Sequence, residues 1–197
     1  PEGGRGFEQL AEYEAELQSA GRTQLIERLK HETVRRLLAG TFESSPYLTT
    51  LIRRDAERLQ RLLDSVPEDE CVRLRDALEV AMAQASELPA AKKLLRTYKN
   101  EIALLTALAN LGGVWPVMVV TDVLSRAADT TVNLSVRFLF ARANAAGKWR
   151  SPNLDRAEAD SGYFILAMGK QGAFELNYSS DIDLIVFFDR ERSCFCG

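Results

Sequence analysis

Two aspartates, Asp181 and Asp183, lie on either side of one isoleucine at the start of an apolar run near the end of this 197-residue sequence. Residues two apart on a β-strand point to the same face, so the two carboxylates are expected to project together. Carboxylates held this close repel one another unless a cation compensates their charge, and hard oxygen ligands suit Mg²⁺ or Mn²⁺. The pair therefore predicts a site where a divalent cation neutralises phosphate oxygens during attack at phosphorus.

The residues just before this pair, GKQGAFELNYSS at 169–180, carry groups that suit phosphate binding. The turn at Gly172 is built from small residues, so backbone amides could approach a phosphate closely. Ser179 and Ser180 add hydroxyl donors. Lys170 either contacts a phosphate or lies at the end of a strand without a binding role. Neither the P-loop pattern nor the dinucleotide-binding pattern of glycines is present. The expected ligand is a triphosphate or an adenylyl group.

Helical periodicity dominates the chain from about Gln9 to Ala146, where apolar residues recur at three- and four-residue spacing. Five or six helices are expected there, with proline and glycine marking their ends. Breaks are predicted near Ala39 or Gly40, at Val66-Pro67 and at Gly112-Gly113, and helix starts near Tyr47, at Pro89 as first helical residue and near Val117.

Around residues 146–153 (AGKWRSPN) the helical pattern gives way to glycine, proline and serine, which predicts a boundary. Residues 1–146 are then a helical N-terminal segment, and residues 147–197 begin a second domain. In that domain, the apolar run Tyr163–Met168 and a β-branched and aromatic run at 182–188 predict two buried strands. The predicted fold class is α+β, mostly α in this chain.

The composition limits which binding partners and which cellular compartment are expected. With 25 basic and 28 acidic residues and a net charge of −3, the chain has no electrostatic footprint for nucleic acid or for a membrane surface. No apolar stretch approaches the length of a membrane span, and the acidic N-terminus is unlike a signal peptide. Three cysteines are too few for a disulfide framework. A cytoplasmic location without nucleic-acid or membrane partners is expected.

The arrangement of strand, small-residue turn, seven-residue gap and Asp-hydrophobic-Asp entering another strand resembles the nucleotidyltransferase superfamily related to polymerase β. The fuller pattern is more specific. GK-x-G at 169–172 followed by ELNYSSDIDLI at 175–185 resembles the signature of the bacterial glutamine synthetase adenylyltransferase/adenylyl-removing enzymes. EIALLTALANLGG at 101–113 is similar to the helical segment that precedes the catalytic domain in that family, so the resemblance covers about residues 92–189.

This resemblance implies a polymerase-β-like nucleotidyltransferase domain, similar to the first of the two in the family. In the family, that half removes AMP from a tyrosine of glutamine synthetase by phosphorolysis, giving ADP, and the other half attaches AMP from ATP. The implied cofactor is Mg²⁺ or Mn²⁺, the small substrates are ATP, ADP and phosphate, and the partners are glutamine synthetase and a PII-type signalling protein. Asp181 and Asp183 become the catalytic metal ligands, and the nucleotide or phosphate would be held by Gly172, Ser180, Lys170 and Ser179.

Three departures from the family pattern qualify this interpretation. Ala173 replaces a glycine that many members have, which is tolerated if the backbone there does not need positive φ. Asn110 replaces an aspartate, and the change is expected to weaken a cap or a charge contact. The superfamily places a third carboxylate on a later strand, and Asp189 and Glu191 come too soon for that role, so the fragment is expected to be truncated and catalytically incomplete. The alternatives are a nucleotidyltransferase that modifies another protein or a small molecule, and a non-catalytic helical interaction fragment.

Overall fold

The structure is a computed structural model that describes residues 4–150, 161–178 and 180–189. The described residues are mostly helical and include one small antiparallel sheet. Within them, no helix combines the length and the hydropathy that crossing a membrane requires. The helices are α1 Arg5–Ser19, α2 Thr23–Leu29, α3 Glu32–Ser44, α4 Pro46–Arg54, α5 Ala56–Asp64, α6 Pro67–Gln84, α7 Leu88–Leu111, α8 Val117–Ala145 and the short α9 Gly169–Gly172, and the strands are β1 Tyr163–Met168 and β2 Asp183–Phe188.

Helix ends follow local capping chemistry. The hydroxyl of Ser45 accepts a hydrogen bond from the backbone N–H of Leu48 at 3.3 Å, and Pro46 is the first residue of α4. The carboxylate of Asp55 accepts from the backbone N–H of Arg58 at 3.0 Å and starts α5 in the same way. Each cap satisfies one of the amide donors that the first turn of a helix leaves without a carbonyl partner.

The predicted helix stop near Ala39 or Gly40 is wrong, because α3 continues to Ser44. The hydroxyls of Thr41 and Ser44 donate to the carbonyl oxygens of Leu37 and Gly40, so these polar residues are accommodated within the helix. The predicted number of helices is also too low, since eight precede residue 146 in the described part of the chain. Short interruptions at residues 20–22, 30–31 and 55 divide what the periodicity presents as longer helices.

Other predicted boundaries are confirmed. The break at Val66-Pro67 separates α5 from α6, α4 begins one residue before Tyr47, and α8 begins at Val117. The stop at the glycine pair is also correct, since α7 ends at Leu111. Pro89 is the second residue of α7 where the first was predicted. The boundary predicted at residue 146 follows the end of α8 and, as a division between domains, stays a prediction.

The described chain divides into two compact units. The first contains the chain up to Val72 together with Ala103–Pro116, and the second contains Arg73–Ile102 and the chain from Val117 onwards. In the first unit, buried side chains of α1 at three- and four-residue spacing pack with those of α3, including an edge-on contact between the rings of Tyr13 and Phe42 at 5.8 Å. Burial of such amphipathic faces drives the packing of this unit.

Gly6 lies where α1 and α3 are in close contact. A Cβ atom at this position would lie 2.1 Å from the carbonyl oxygen of Ala39, far inside van der Waals contact. We therefore expect Gly6→Ala to lower the free energy of unfolding by about 1–3 kcal/mol, the usual cost of overpacking. Gly40 is the matched control, because it lies inside α3 with open space around its Cα, so Gly40→Ala is expected to add about 0.5–1 kcal/mol. Urea denaturation measures both values, and equal effects of the two substitutions would contradict this packing.

The turn after α7 is held by side chains of the first unit. The amide Nδ2 of Asn110 donates to the backbone oxygen of Trp115 at 2.9 Å, and Gly113 adopts a positive φ of 74°. The expectation that replacing an aspartate by Asn110 weakens a contact stays a prediction, and the amide of Asn110 makes a hydrogen bond here that an ionised aspartate could not donate. The indole Nε1 of Trp115 in turn donates to the carboxylate of Glu68 at 2.6 Å.

This hydrogen bond gives the first unit a pH-dependent contribution to stability. The indole donor of Trp115 lowers the pKa of Glu68 below its ordinary value. A lowered pKa in the folded state means that the contribution is present above about pH 4.3, the ordinary value of glutamate, and is lost as the pH falls further. We expect the difference in urea midpoint between the wild type and Trp115→Phe to shrink between pH 5 and pH 3. A difference that stays constant over this range would contradict the assignment.

In the second unit, an aromatic cluster packs β1 against α8. The ring of Phe140 lies 4.5 Å from the ring of Trp149 and 5.6 Å from that of Tyr163, measured between centroids. Trp149 is 1% exposed. The cluster joins the end of α8 to the start of β1, so the sheet begins at a defined place on the helix.

The positions of both strands were predicted closely, but their burial was not. β1 pairs with β2 antiparallel, with Tyr163 opposite Phe188 and Met168 opposite Asp183. The prediction that both strands are buried is wrong, since exposure alternates along β1 and all six residues of β2 are exposed. A buried strand needs a covering layer on its faces. The described residues supply two strands, and the apolar side chains of β2 remain exposed to solvent.

Candidate active site

Asp183 lies at the end of the sheet, beside the turn that follows β1. It is the first residue of β2 and is directly opposite Met168, the last residue of β1. The next residue, Gly169, has a φ of +56°, and its Cα faces the aspartate so closely that a Cβ there would lie 3.7 Å from Oδ2 of Asp183. Strand pairing thus brings this exposed carboxylate to the turn that the sequence predicted to bind phosphate.

Asp181 lies two residues before Asp183 and is also exposed. Residues 180–182 precede the first residue of β2, so the shared face inferred from strand alternation stays a prediction. Within the described ranges, no cluster of three or more histidine, cysteine, aspartate or glutamate residues could hold a metal ion. Two exposed carboxylates are nevertheless a donor set that fits Mg²⁺, which typically keeps several waters and takes one or two carboxylates together with substrate phosphates. The residues present fit such an ion.

The turn between the strands is compact because of its glycines. Gly172 packs against the end of β1, where a Cβ atom would lie 2.4 Å from the backbone oxygen of Ala167. Ala173 has a φ of −86°, so the condition for replacing the family's second glycine is met. The positive φ falls instead on Phe174, at 58°. A non-glycine residue in this region is uncommon, and the sequence contains no signal for it.

The side chains predicted to donate to phosphate differ in their surroundings. Lys170 is exposed in the turn, so its ammonium group is free to reach an anion from solvent. The hydroxyl of Ser180 donates to Oδ1 of Asn177 at 2.8 Å and would have to exchange that acceptor to contact a ligand. Ser179 lies outside the described residues, and its predicted role stays a prediction.

Sequence reasoning missed the residues that attach this turn to α8. The side-chain Nε2 of Gln171 donates to the backbone oxygen of Ser125 at 3.0 Å and to Oδ1 of Asp129 at 2.7 Å. The hydroxyl of Ser125 accepts a hydrogen bond from the backbone N–H of Leu176 at 3.3 Å. The guanidinium of Arg126 lies 5.8 Å from the ring centroid of Phe174. These residues are more than 40 positions apart in sequence, and local spacing therefore could not reveal the contacts.

Known proteins are similar to this chain over most of its length. A family model described as Glutamate-ammonia ligase adenylyltransferase matches residues 34–195 of the chain. Similar curated proteins carry the name bifunctional glutamine synthetase adenylyltransferase/adenylyl-removing enzyme. The one from Rhodopseudomonas palustris (strain BisB5) is 48% identical over 160 residues, which cover 81% of this chain and 16% of that relative. The one from Bradyrhizobium diazoefficiens is 45% identical over 179 residues, which cover 91% of this chain and 18% of that relative.

The chain belongs to the glutamate-ammonia ligase adenylyltransferase family. This confirms the resemblance that the 169–185 motif indicated. A more distant relative from Xanthobacter autotrophicus, with the same name, is 38% identical over 159 residues and is covered to 16% of its length. The chain therefore spans less than a fifth of the length of these curated relatives. No solved structure matches the chain.

Proposed function

We propose that this chain forms the helical segment and the first part of the catalytic site of a metal-dependent nucleotidyltransferase that removes AMP from a tyrosine of glutamine synthetase. The names of its relatives support the substrate. The observation that carries the proposal is the position of Asp183, whose carboxylate faces Gly169 at the end of the sheet. This carboxylate lies within the ELNYSSDID pattern, which resembles the adenylyl-removing half of the family.

In this proposal, Asp181 and Asp183 hold Mg²⁺ or Mn²⁺ through their carboxylate oxygens. The bound ion would neutralise the phosphate oxygens around the phosphorus that is attacked. Gly172 keeps the turn close to β1, so that a phosphate group can approach the backbone of 169–172 without a side chain in between. Lys170 and the hydroxyls of Ser179 and Ser180 donate to phosphate oxygens. Positioning and charge neutralisation suffice for such a transfer without a covalent enzyme intermediate.

The proposed reaction is phosphorolysis. An oxygen of inorganic phosphate attacks the phosphorus of the AMP–tyrosine ester, and the bond from phosphorus to the tyrosine oxygen breaks. The new bond joins phosphate to AMP as ADP, and the tyrosine oxygen takes up a proton. By the family's division of labour, addition of AMP from ATP belongs to the other catalytic domain, and a PII-type protein is the proposed regulatory partner.

The exposed sheet supports the proposal that further chain completes this domain. The residues of β2 from Leu184 to Phe188 are each between 37% and 55% exposed, although all are apolar. Apolar surface of this extent normally marks an interface. We propose that the rest of a polymerase-β-like domain covers these side chains and supplies the third carboxylate.

The test of this function uses what we call the extended protein, a polypeptide that contains this chain and continues through the rest of the family's catalytic domain. Incubated with adenylylated glutamine synthetase, Mg²⁺ and phosphate, it is expected to release ADP and restore the unmodified tyrosine. Omitting phosphate should stop the release. An extended protein that folds and binds Mn²⁺ but releases no ADP from this substrate would favour a different protein or a small molecule as the substrate.

A further inference from the structure

The turn at residues 169–176, which is proposed to bind phosphate, contains one buried polar side chain. Gln171 is 2% exposed, whereas Lys170, Gly172 and Ala173 around it are exposed. Its side chain points towards α8, which belongs to the same compact unit. Because glutamine is polar, burial of its amide has to be explained by the contacts that it makes.

Both hydrogens of the Gln171 amide nitrogen are used on α8. One acceptor is the backbone oxygen of Ser125 at 3.0 Å, and the other is Oδ1 of Asp129 at 2.7 Å. These acceptors are one turn apart on the helix, so the amide bridges them and its orientation is determined. The amide oxygen Oε1 is buried and makes no hydrogen bond in the described part of the chain.

A second contact attaches the other end of the turn to the same place. The backbone N–H of Leu176 donates to the hydroxyl of Ser125, which is 0% exposed, and Leu176 itself is 6% exposed. Residues 171–176 are therefore fixed to α8 at both ends. The start of the same turn, Gly169, faces the carboxylate of Asp183. The contacts with α8 therefore also constrain how far the turn lies from this carboxylate.

We propose that Gln171 is a positioning residue. Through its hydrogen bonds to Ser125 and Asp129 it holds the turn at residues 169–176 at a fixed position relative to Asp181 and Asp183. This inference rests on the proposed metal and phosphate roles of those residues. A buried amide oxygen without a donor opposes folding, and an apolar side chain of similar size would avoid that cost. The polar residue is thus better explained by orientation of the turn than by stability. Supporting contacts of this kind tune the affinity of a site although they touch neither metal nor substrate.

The test compares Gln171→Met with Gln84→Met in the extended protein. Methionine keeps the length of the side chain but removes both amide donors, and Gln84 is an exposed residue at the end of α6. We expect Gln171→Met to weaken Mn²⁺ binding, titrated by electron paramagnetic resonance, about tenfold. The KM for phosphate should rise and kcat should fall, while Gln84→Met leaves all three unchanged. A purely structural role would lower the thermal midpoint and leave Mn²⁺ affinity and the KM for phosphate as in the wild type, and that result would overturn the proposal.

Ser125→Ala provides a second variant that removes only a hydroxyl, in case Gln171→Met does not fold. It deletes the contact to Leu176 and leaves the backbone acceptor of Gln171 in place, so about a threefold loss of Mn²⁺ affinity is expected. Unchanged affinity in a folded Ser125→Ala protein would also overturn the proposal. A wild type that shows no Asp181-dependent Mn²⁺ binding contradicts the proposed function. Mn²⁺ binding that is present in the wild type and unchanged in Gln171→Met and Ser125→Ala contradicts only the positioning role.

Discussion

Asp181→Asn and Asp183→Asn are each expected to lower phosphate-dependent ADP release by the extended protein at least about 100-fold, the upper range of what losing an outer-shell partner of a metal ligand costs. Asparagine keeps the size of the side chain but removes the negative charge that is proposed to bind the cation. The loss should appear in kcat, because charge neutralisation around phosphorus acts mainly in the transition state. Steady-state assays of ADP release over a range of Mg²⁺ concentrations measure it.

Asp189→Asn is the matched control for these variants. Asp189 follows β2 directly, so the same isosteric change is made at the opposite end of the strand from Asp183. Its backbone N–H donates to the oxygen of Gly162, a contact that does not depend on the side chain. Activity is expected to remain close to that of the wild type. An equal loss in all three variants would mean that general destabilisation of the strand, rather than metal binding, explains the effect.

Gly172→Ala is expected to have the second-largest effect. The new Cβ would lie 2.4 Å from the carbonyl oxygen of Ala167, and because this is a backbone atom, the turn itself must shift. Overpacking of this kind costs about 1–3 kcal/mol of stability. A displaced turn should also cost about tenfold or more in ADP release, because small misplacements of positioned groups lower catalytic rates strongly.

The neighbouring substitution Ala173→Gly separates this close approach from backbone flexibility. Ala173 has an ordinary negative φ, so glycine fits there and restores the second glycine of many family members. Its expected cost is a fraction of 1 kcal/mol from greater freedom of the unfolded chain, with ADP release nearly unchanged. Circular-dichroism melting and the ADP assay measure both variants. Full activity of Gly172→Ala would contradict the close packing of the turn against β1.

The parts of the fold that depend on local patterns could be predicted from the sequence. The run Tyr163–Met168 coincides with β1, and the second run differs from β2 by one residue at its start. Apolar and β-branched content is a strong local signal for strands. The end of α3 and the number of helices could not be predicted as well. Hydroxyl groups that donate to helix carbonyl oxygens let α3 continue through polar residues, and interruptions of only one to three residues separate some of the helices.

The candidate site contains features that local sequence patterns predict and features that they cannot predict. The type and spacing of Asp181 and Asp183 indicated a metal pair from the sequence alone. The attachment of Gln171 to Asp129 could not be anticipated, since the contact depends on how the turn packs on α8. Burial of the strands was predicted wrongly for a related reason: a strand's composition shows that it can be covered, and only the rest of the fold shows whether it is.

The most direct test of the central claim is Mn²⁺ binding by the extended protein and by its Asp181→Asn/Asp183→Asn double variant, followed by electron paramagnetic resonance. The claim is that these two carboxylates hold the divalent cation of a nucleotidyltransferase site. It predicts saturable Mn²⁺ binding in the wild type that is lost in the double variant, while both proteins have the same circular-dichroism spectrum. Mn²⁺ binding that is unchanged in the double variant, or absent from a folded wild type, would contradict the claim and favour a helical interaction role for this chain.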